Sequence, residues 1–174
     1  MKLKDETINS SITVHAMEIL HLYISTAHNF YGHHGLPPGE EPMEACSEIE
    51  CVAGSGIRGD RFFDYKPNYV GQITFFELET HEMLCGNLGI SAVPASAYRR
   101  NVITRGVDLN TLISQEFEIQ GVRFLGTEEA KPCYWMDQAI GPGAFKGLKG
   151  RGGLRAKILT SGRLHSGSAK PATL

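Results

Sequence analysis

The sequence predicts a mainly β protein, a closed or nearly closed β-barrel with a few peripheral helices. Three observations carry that expectation. Apolar, β-branched and aromatic residues gather in short runs, among them Ile12–Ser25, Glu48–Ala53 and Gly71–Leu78. The chain holds 20 glycines and 8 prolines, and irregular stretches rather than regular helices separate the runs, which argues against a doubly wound parallel sheet. One stretch alone has clear helical periodicity, so the helices lie at the periphery of a sheet structure.

The elements follow in order. "ITVHAMEILHLYIS" predicts an early strand ending near Tyr23–Ile24. "TAHNFYGHHGLPPGEEP" is rich in Gly, Pro and His and predicts a long loop, a feature that is often functional in a compact domain. "EIECVA" reads as a strand, "GSGIRGDRFFDYKPN" as a second irregular segment, and "GQITFFEL" as a buried strand. In "FELETHEMLCGNLGI", Leu78, Leu84, Cys85 and Leu88 fall on one side of a helix, and Gly89 supplies its left-handed stop. "RRNVIT" predicts a strand. "EFEIQGVRF" alternates around Gln120-Gly121 and predicts a hairpin. "LRAKIL" reads as a half-exposed strand, and "TSGRL" turns it back into a last short one. The tail 168–174 has little to bury and is expected to be mobile.

At 174 residues the chain is long enough for one domain with a core of its own, here placed at about 19–167. The hydrophobic fraction of 41% and charged fraction of 21% are ordinary for a globular protein. A net charge of −2 gives no global basic field toward nucleic acid or anionic lipid. The polar N-terminus has no signal-like apolar run, and no stretch is long enough to span a bilayer, so a cytoplasmic protein with reduced thiols is expected. Cys46, Cys51, Cys85 and Cys133 show no CxxC pairing, although a Cys46–Cys51 bridge stays open.

Several segments are candidates for chemistry. "GSGIRG" fits the spacing of a dinucleotide loop, but "DRFFDYKPN" behind it cannot open a helix, so that reading is rejected. Arg58, Asp60 and Arg61 either brace this loop or bind an anion. His28, His33 and His34 match no zinc spacing. If "YRRNV" is strand, Arg99 and Asn101 share one face and can reach one ligand, with Arg100 on the other; the competing reading is an exposed ion-pairing edge. "GLKGRGGLRAK" offers Lys149, Arg151 and Arg155 to a phosphate, or is a solvated turn. In "KPCYWMDQAI", Pro132 suits the first position of a helix, which would place Cys133 at a helix N-terminus beside Lys131 and favour its thiolate. Such a thiolate can handle sulfur or ligate a soft metal; a packing cysteine is the alternative.

Taken as an ordered set, "GIRGDRFF", "GQITFF", "RRNVITRGVDL", "FEIQGVRFLGTEEAKPC", "GRGGLRAKIL" and "SGRLHSG" resemble the MOSC family, the domain named after the C-terminus of molybdenum cofactor sulfurases, in its stand-alone bacterial form. The resemblance implies a β-barrel of mixed strand order. It implies that Cys133 matches the family cysteine that carries a persulfide or ligates molybdenum. It places Arg99 and Asn101 near the pterin of the molybdenum cofactor (molybdopterin), with Arg100, Arg58 and Arg61 as extensions based on charge and loop position. The implied function is a molybdenum-cofactor-binding or sulfur-carrier protein whose partner is the cofactor or a sulfur donor or acceptor protein. One alternative is a molybdenum-dependent reductase of N-hydroxylated compounds fed by an electron-donor flavoprotein. Another is a non-catalytic barrel with a structural cysteine. The chain lacks the desulfurase domain, the extra N-terminal β-barrel and the ferredoxin-type cysteine cluster of larger relatives, so it is not expected to make persulfide from cysteine or to reduce substrates unaided.

Overall fold

The computed structural model describes residues 12–14, 16–91 and 93–167. The expectation for the tail 168–174 lies outside them. Among the described residues eleven strands form two sheets. They are β1 (Ile12–Thr13), β2 (Glu18–Ile24), β3 (Glu44–Cys46), β4 (Glu48–Val52), β5 (Gly56–Ile57), β6 (Ile73–Glu77), β7 (Val102–Arg105), β8 (Glu116–Ile119), β9 (Val122–Glu129), β10 (Leu154–Ile158) and β11 (Gly162–His165). The helices are α1 (Leu78–Leu88), α2 (Trp135–Ala139) and α3 (Ala144–Gly147). Among the described residues no helix is long and apolar enough to cross a membrane.

The larger sheet has eight strands in the order β1-β8-β9-β10-β6-β7-β2-β3, and the smaller three in the order β11-β4-β5. Strand order is mixed, because β1/β8 and β6/β7 are parallel and the other pairs antiparallel. The parallel β6/β7 pair needs a crossover, and α1 supplies it. The helix ends where expected: Gly89 adopts φ 65° and its N–H donates to the Cys85 and Gly86 carbonyls. The predicted hairpin is β8–β9, with Gln120 at φ 51° and Gly121 at φ 78°, the left-handed pair that a tight two-residue turn requires.

The ladders do not close into a barrel. The large sheet ends at β1 and β3, and the chain passes into the small sheet across Ser47. Single backbone bonds stitch the two sheets together: Gly54 N–H to Ile158 O (3.1 Å) and Gly167 N–H to Ile19 O (2.8 Å). Register shifts at Arg155/Ala156 and Ile19/His21 mark local bulges, which bend the large sheet.

Both sheets nonetheless turn inward on one core. Ile19 and Leu22 of β2, Ile49 and Cys51 of β4, Phe75 of β6, Phe117 of β8, Phe124 of β9 and Leu164 of β11 meet there. On β6 the run Ile73-Thr74-Phe75-Phe76 is buried on both faces, which its unbroken apolar character foretold. Phe75 enters the main core, whereas Phe76 joins Leu84, Tyr98, Met136 and Leu148 in a second cluster beneath the helices. Gly126 on β9 is a tight spot. A Cβ there would lie 2.0 Å from the carbonyl oxygen of Leu112, and backbone cannot move aside cheaply. Gly126→Ala is therefore expected to destabilise the fold by about 3 kcal/mol in urea unfolding; a midpoint equal to wild type would refute this packing.

Candidate functional site

The segment Tyr98–Val102 builds the site, though not as a strand. Arg99 takes a left-handed conformation (φ 55°, ψ 41°) at the end of a short 3-10 turn, Ala95–Tyr98, and β7 begins only at Val102. The alternating-face expectation for Arg99, Arg100 and Asn101 therefore fails: Arg99 and Arg100 line one cavity and Asn101 does not. Arg99 donates to Ser25 Oγ (2.8 Å), Ala27 O (2.9 Å) and Glu41 O (2.8 Å), pinning the base of the long loop between β2 and β3. Arg100 donates to Tyr98 O (2.9 Å), Ala130 O (2.8 Å) and Gly152 O (3.0 Å). Asn101 is 2% exposed and turns into the protein. Its Oδ1 accepts from Thr74 N–H and Oγ1, and its Nδ2 donates to Tyr23 O and Asp60 Oδ2.

Asp60 is the buried anchor of this network. Its carboxylate accepts from the Ser25 and Phe62 N–H groups, from Asn101 Nδ2 and from Arg61 Nη1 (3.2 Å). Arg61 in turn donates to Arg99 O (3.1 Å). Arg58 stands apart: it is paired with Glu50, its side chain is 57% exposed, and it does not line the cavity.

The cavity measures about 460 Å³. Six cationic side chains line it: Arg61, Lys66, Arg99, Arg100, Lys131 and Arg155; among the described residues no Asp or Glu does. Of the other basic candidates, Lys149 lies over the Phe145 ring and Arg151 is exposed. Burial and neighbouring cations lower the Arg99 and Arg100 pKa values to about 10, so both remain charged at neutral pH. Phe62, Tyr65 and Tyr69 pack with centroids 4.9–5.5 Å apart into an aromatic wall, and two of the cations lie over it, Arg61 over Phe62 (5.0 Å) and Lys66 over Tyr69 (5.3 Å).

Cys133 opens onto this cavity and is half-buried. Pro132 does not start the helix. Arg100 holds the Ala130 carbonyl and Gly153 O accepts the Ala130 N–H (2.8 Å), so the segment stays extended and α2 begins only at Trp135. The helix has five residues; Cys133 touches it through its carbonyl, which accepts the Met136 N–H (3.0 Å). Positive charge at the thiol comes from side chains rather than from a long helix: Lys131 shares the cavity, and Arg100 interacts electrostatically with Cys133. All four cysteines are free; Cys51 lies in the core with its pKa pushed up to about 12, chiefly by burial.

The histidine-bearing segment, expected as a long loop, is a wall of the cavity. Phe30 stacks on Trp135 (5.2 Å), His34 Nδ1 meets Tyr134 OH (3.0 Å), and the Tyr65 hydroxyl donates to that of Tyr31 (3.3 Å). His28 packs edge-on to Phe62 (4.8 Å). Burial first, then Arg61, lowers its pKa below the ordinary 6.5. Folding thus favours neutral His28, and this contribution to stability is lost as pH falls below the unfolded value, near 6.5. His28→Gln is expected to flatten that part of the stability–pH curve; an unchanged slope would contradict the assignment. The wall residues Phe62, Tyr65, Lys66 and Tyr69 were not singled out from sequence, although the aromatic and basic density of "DRFFDYKPNY" was a usable signal.

The mixed β fold itself is shared with solved structures. The YuaD protein from Bacillus subtilis shares the fold with a TM-score of 0.68 at 17% identity, over 86% of this chain and 92% of that one. YiiM from Geobacillus stearothermophilus does so with a TM-score of 0.63 at 13% identity, over 87% and 72%. YiiM from Escherichia coli follows with a TM-score of 0.57 at 13% identity, over 83% and 65%. At these identities the likeness is one of fold. No curated protein sequence gives a significant match. Residues 69–169, more than half of the chain, match the family model of the MOSC domain, and the chain belongs to that family.

Proposed function

We propose that the cavity binds the molybdenum cofactor, or sulfur destined for it, with Cys133 as the residue that holds it. The observation that carries this reading is a thiol opening onto a cavity lined by six cations and by no carboxylate among the described residues. The residues fit such a group. A volume of about 460 Å³ is in the range of cofactor-sized sites. Among the described residues no cluster of three or more His, Cys, Asp or Glu can hold a bare ion, so a metal here would arrive on a carrier that supplies its own ligands, with Cys133 adding one.

When bound, molybdenum would supply a redox centre that accepts a soft thiolate ligand. The protein's own part is positioning. Arg100 clamps the carbonyls of Ala130 and Gly152 on either side of the thiol segment, which fixes where Cys133 stands. Arg61, Lys131 and Arg155 offer charge to a phosphate, and the Phe62–Tyr65–Tyr69 wall offers a face to a planar ring. A persulfide is an anion, and the cation-lined cavity can pair with it.

A reductase acting on planar N-hydroxylated compounds would use the same cavity, and the aromatic wall is the feature that favours this second reading. Metal and oxidised-pterin analysis of protein purified from a molybdate-supplied, cofactor-competent host tests the first reading. Turnover of a hydroxylamine with a flavoprotein donor tests the second. Protein that carries neither molybdenum, nor pterin, nor a persulfide on Cys133 would dismiss the proposal.

A further inference from the structure

The sulfur-carrier form of the proposed function needs a source of sulfur. We propose that Cys133 takes it directly from a dianionic sulfane-sulfur donor of the thiosulfate class, making this domain a sulfurtransferase; this rests on the cavity being the sulfur-handling site.

Two anions, a thiolate and a dianion, repel each other, so their reaction needs fixed positive charge around the meeting point. Among the described residues no carboxylate pairs with Lys66, Arg99, Arg100 or Lys131, although all four line the cavity with Cys133. Arg99 is only 8% exposed; its guanidinium bonds the Ser25 hydroxyl and the Ala27 and Glu41 carbonyls, and Asp60 and Glu41 act on it only through space, so an entering anion supplies a direct charge partner. Trp135 walls the cavity with its ring, stacked on Phe30 (5.2 Å), so the cations and the thiol rather than the indole N–H would meet the anion.

The step balances without any other reactant. The Cys133 thiolate attacks the outer sulfur of thiosulfate. A new S–S bond forms at Cys133, the S–S bond of the donor breaks, and its electron pair leaves with sulfite. Total charge is −3 on both sides (thiolate and thiosulfate dianion in, persulfide anion and sulfite dianion out) by the formal charges of the species. Cyanide then discharges the persulfide as thiocyanate and restores the thiolate.

The test uses the full, reduced chain incubated with sodium thiosulfate, followed by intact mass, peptide mapping and sulfite assay. The expected result is the mass of one sulfur atom added at Cys133, equimolar sulfite, and no addition in Cys133→Ser. Lys131 is exposed, so Lys131→Glu should fold, and it is expected to slow the transfer by about tenfold in low salt. Sodium sulfate, which shares the charge but has no sulfane sulfur, should compete. Sulfur added equally to Cys85 and Cys133, or transfer indifferent to Lys131→Glu, would overturn the proposal. So would absence of transfer to protein that still acquires molybdenum and pterin in the cell, an outcome that leaves the cofactor reading standing. Failure of both would remove the two together.

Discussion

Replacing Cys133 with serine is expected to strip the purified protein of molybdenum, pterin and sulfur while moving its melting temperature by no more than about 2 °C. The two outcomes separate because the side chain and the backbone at this position do different work. The backbone carbonyl caps the first turn of α2 through Met136 N–H, and serine keeps it. The side chain is half-buried at a cavity wall, so the core loses nothing when sulfur becomes oxygen. Chemically the change is large: a serine hydroxyl is not ionised near neutral pH, is a poor ligand for a soft metal and cannot form a persulfide. Cys51→Ser is the contrasting control. Cys51 has no exposure and packs between Ile49 and Ile57, so a hydroxyl there should lower stability by about 2 kcal/mol and leave ligand content per folded molecule unchanged. Retention of pterin by Cys133→Ser at wild-type levels would show that the thiol is not what holds the ligand.

Asn101→Ala is expected to unfold the protein about 6–12 °C earlier, a loss of about 3 kcal/mol. Truncation removes four hydrogen bonds: those to the Thr74 N–H and hydroxyl, to the Tyr23 carbonyl and to Asp60. They lie where β2, β6 and the Asp60 loop converge, with Thr74 8% exposed and Asp60 5%. Ligand affinity should fall as a consequence, because Asp60 orients Arg61, which reaches the cavity. Asn101→Asp should be worse at neutral pH than at pH 4, as it sets a second carboxylate 3.2 Å from the oxygen of Asp60. Thermal unfolding across pH distinguishes this from a binding role. A variant with wild-type stability and lost binding would return Asn101 to the ligand.

The Asn101 network also shows where sequence reasoning stops. Period-2 alternation is a property of strands, and it placed Arg99 and Asn101 on a common face only if the strand began before them. Arg99 instead leaves the strand region, with φ 55°, because its guanidinium is drawn to three oxygens of a loop almost 60 or more residues away in sequence. No local pattern encodes a partner at that distance. The same holds for Pro132. Its local preference for a helix start was overridden by the bonds of Ala130 to Arg100 and Gly153. Expectations that rested on local chemistry fared better. The Gln120-Gly121 hairpin, the Gly89 stop and the β10 alternation need only neighbours in the chain, and all three are present.

From residues alone, then, came the mainly β class, the principal strands and the one long helix, the family, and Cys133 as the centre of interest, because periodicity, turn chemistry and ordered motifs are written locally. Tertiary structure alone decided that the sheets stay open, that Asn101 braces the fold and that Arg58 stands outside. It also decided that an aromatic wall and six cations gather around the cavity onto which the thiol opens. Those outcomes depend on which distant groups satisfy one another's charges and hydrogen bonds once buried, and that balance exists only after the chain has packed.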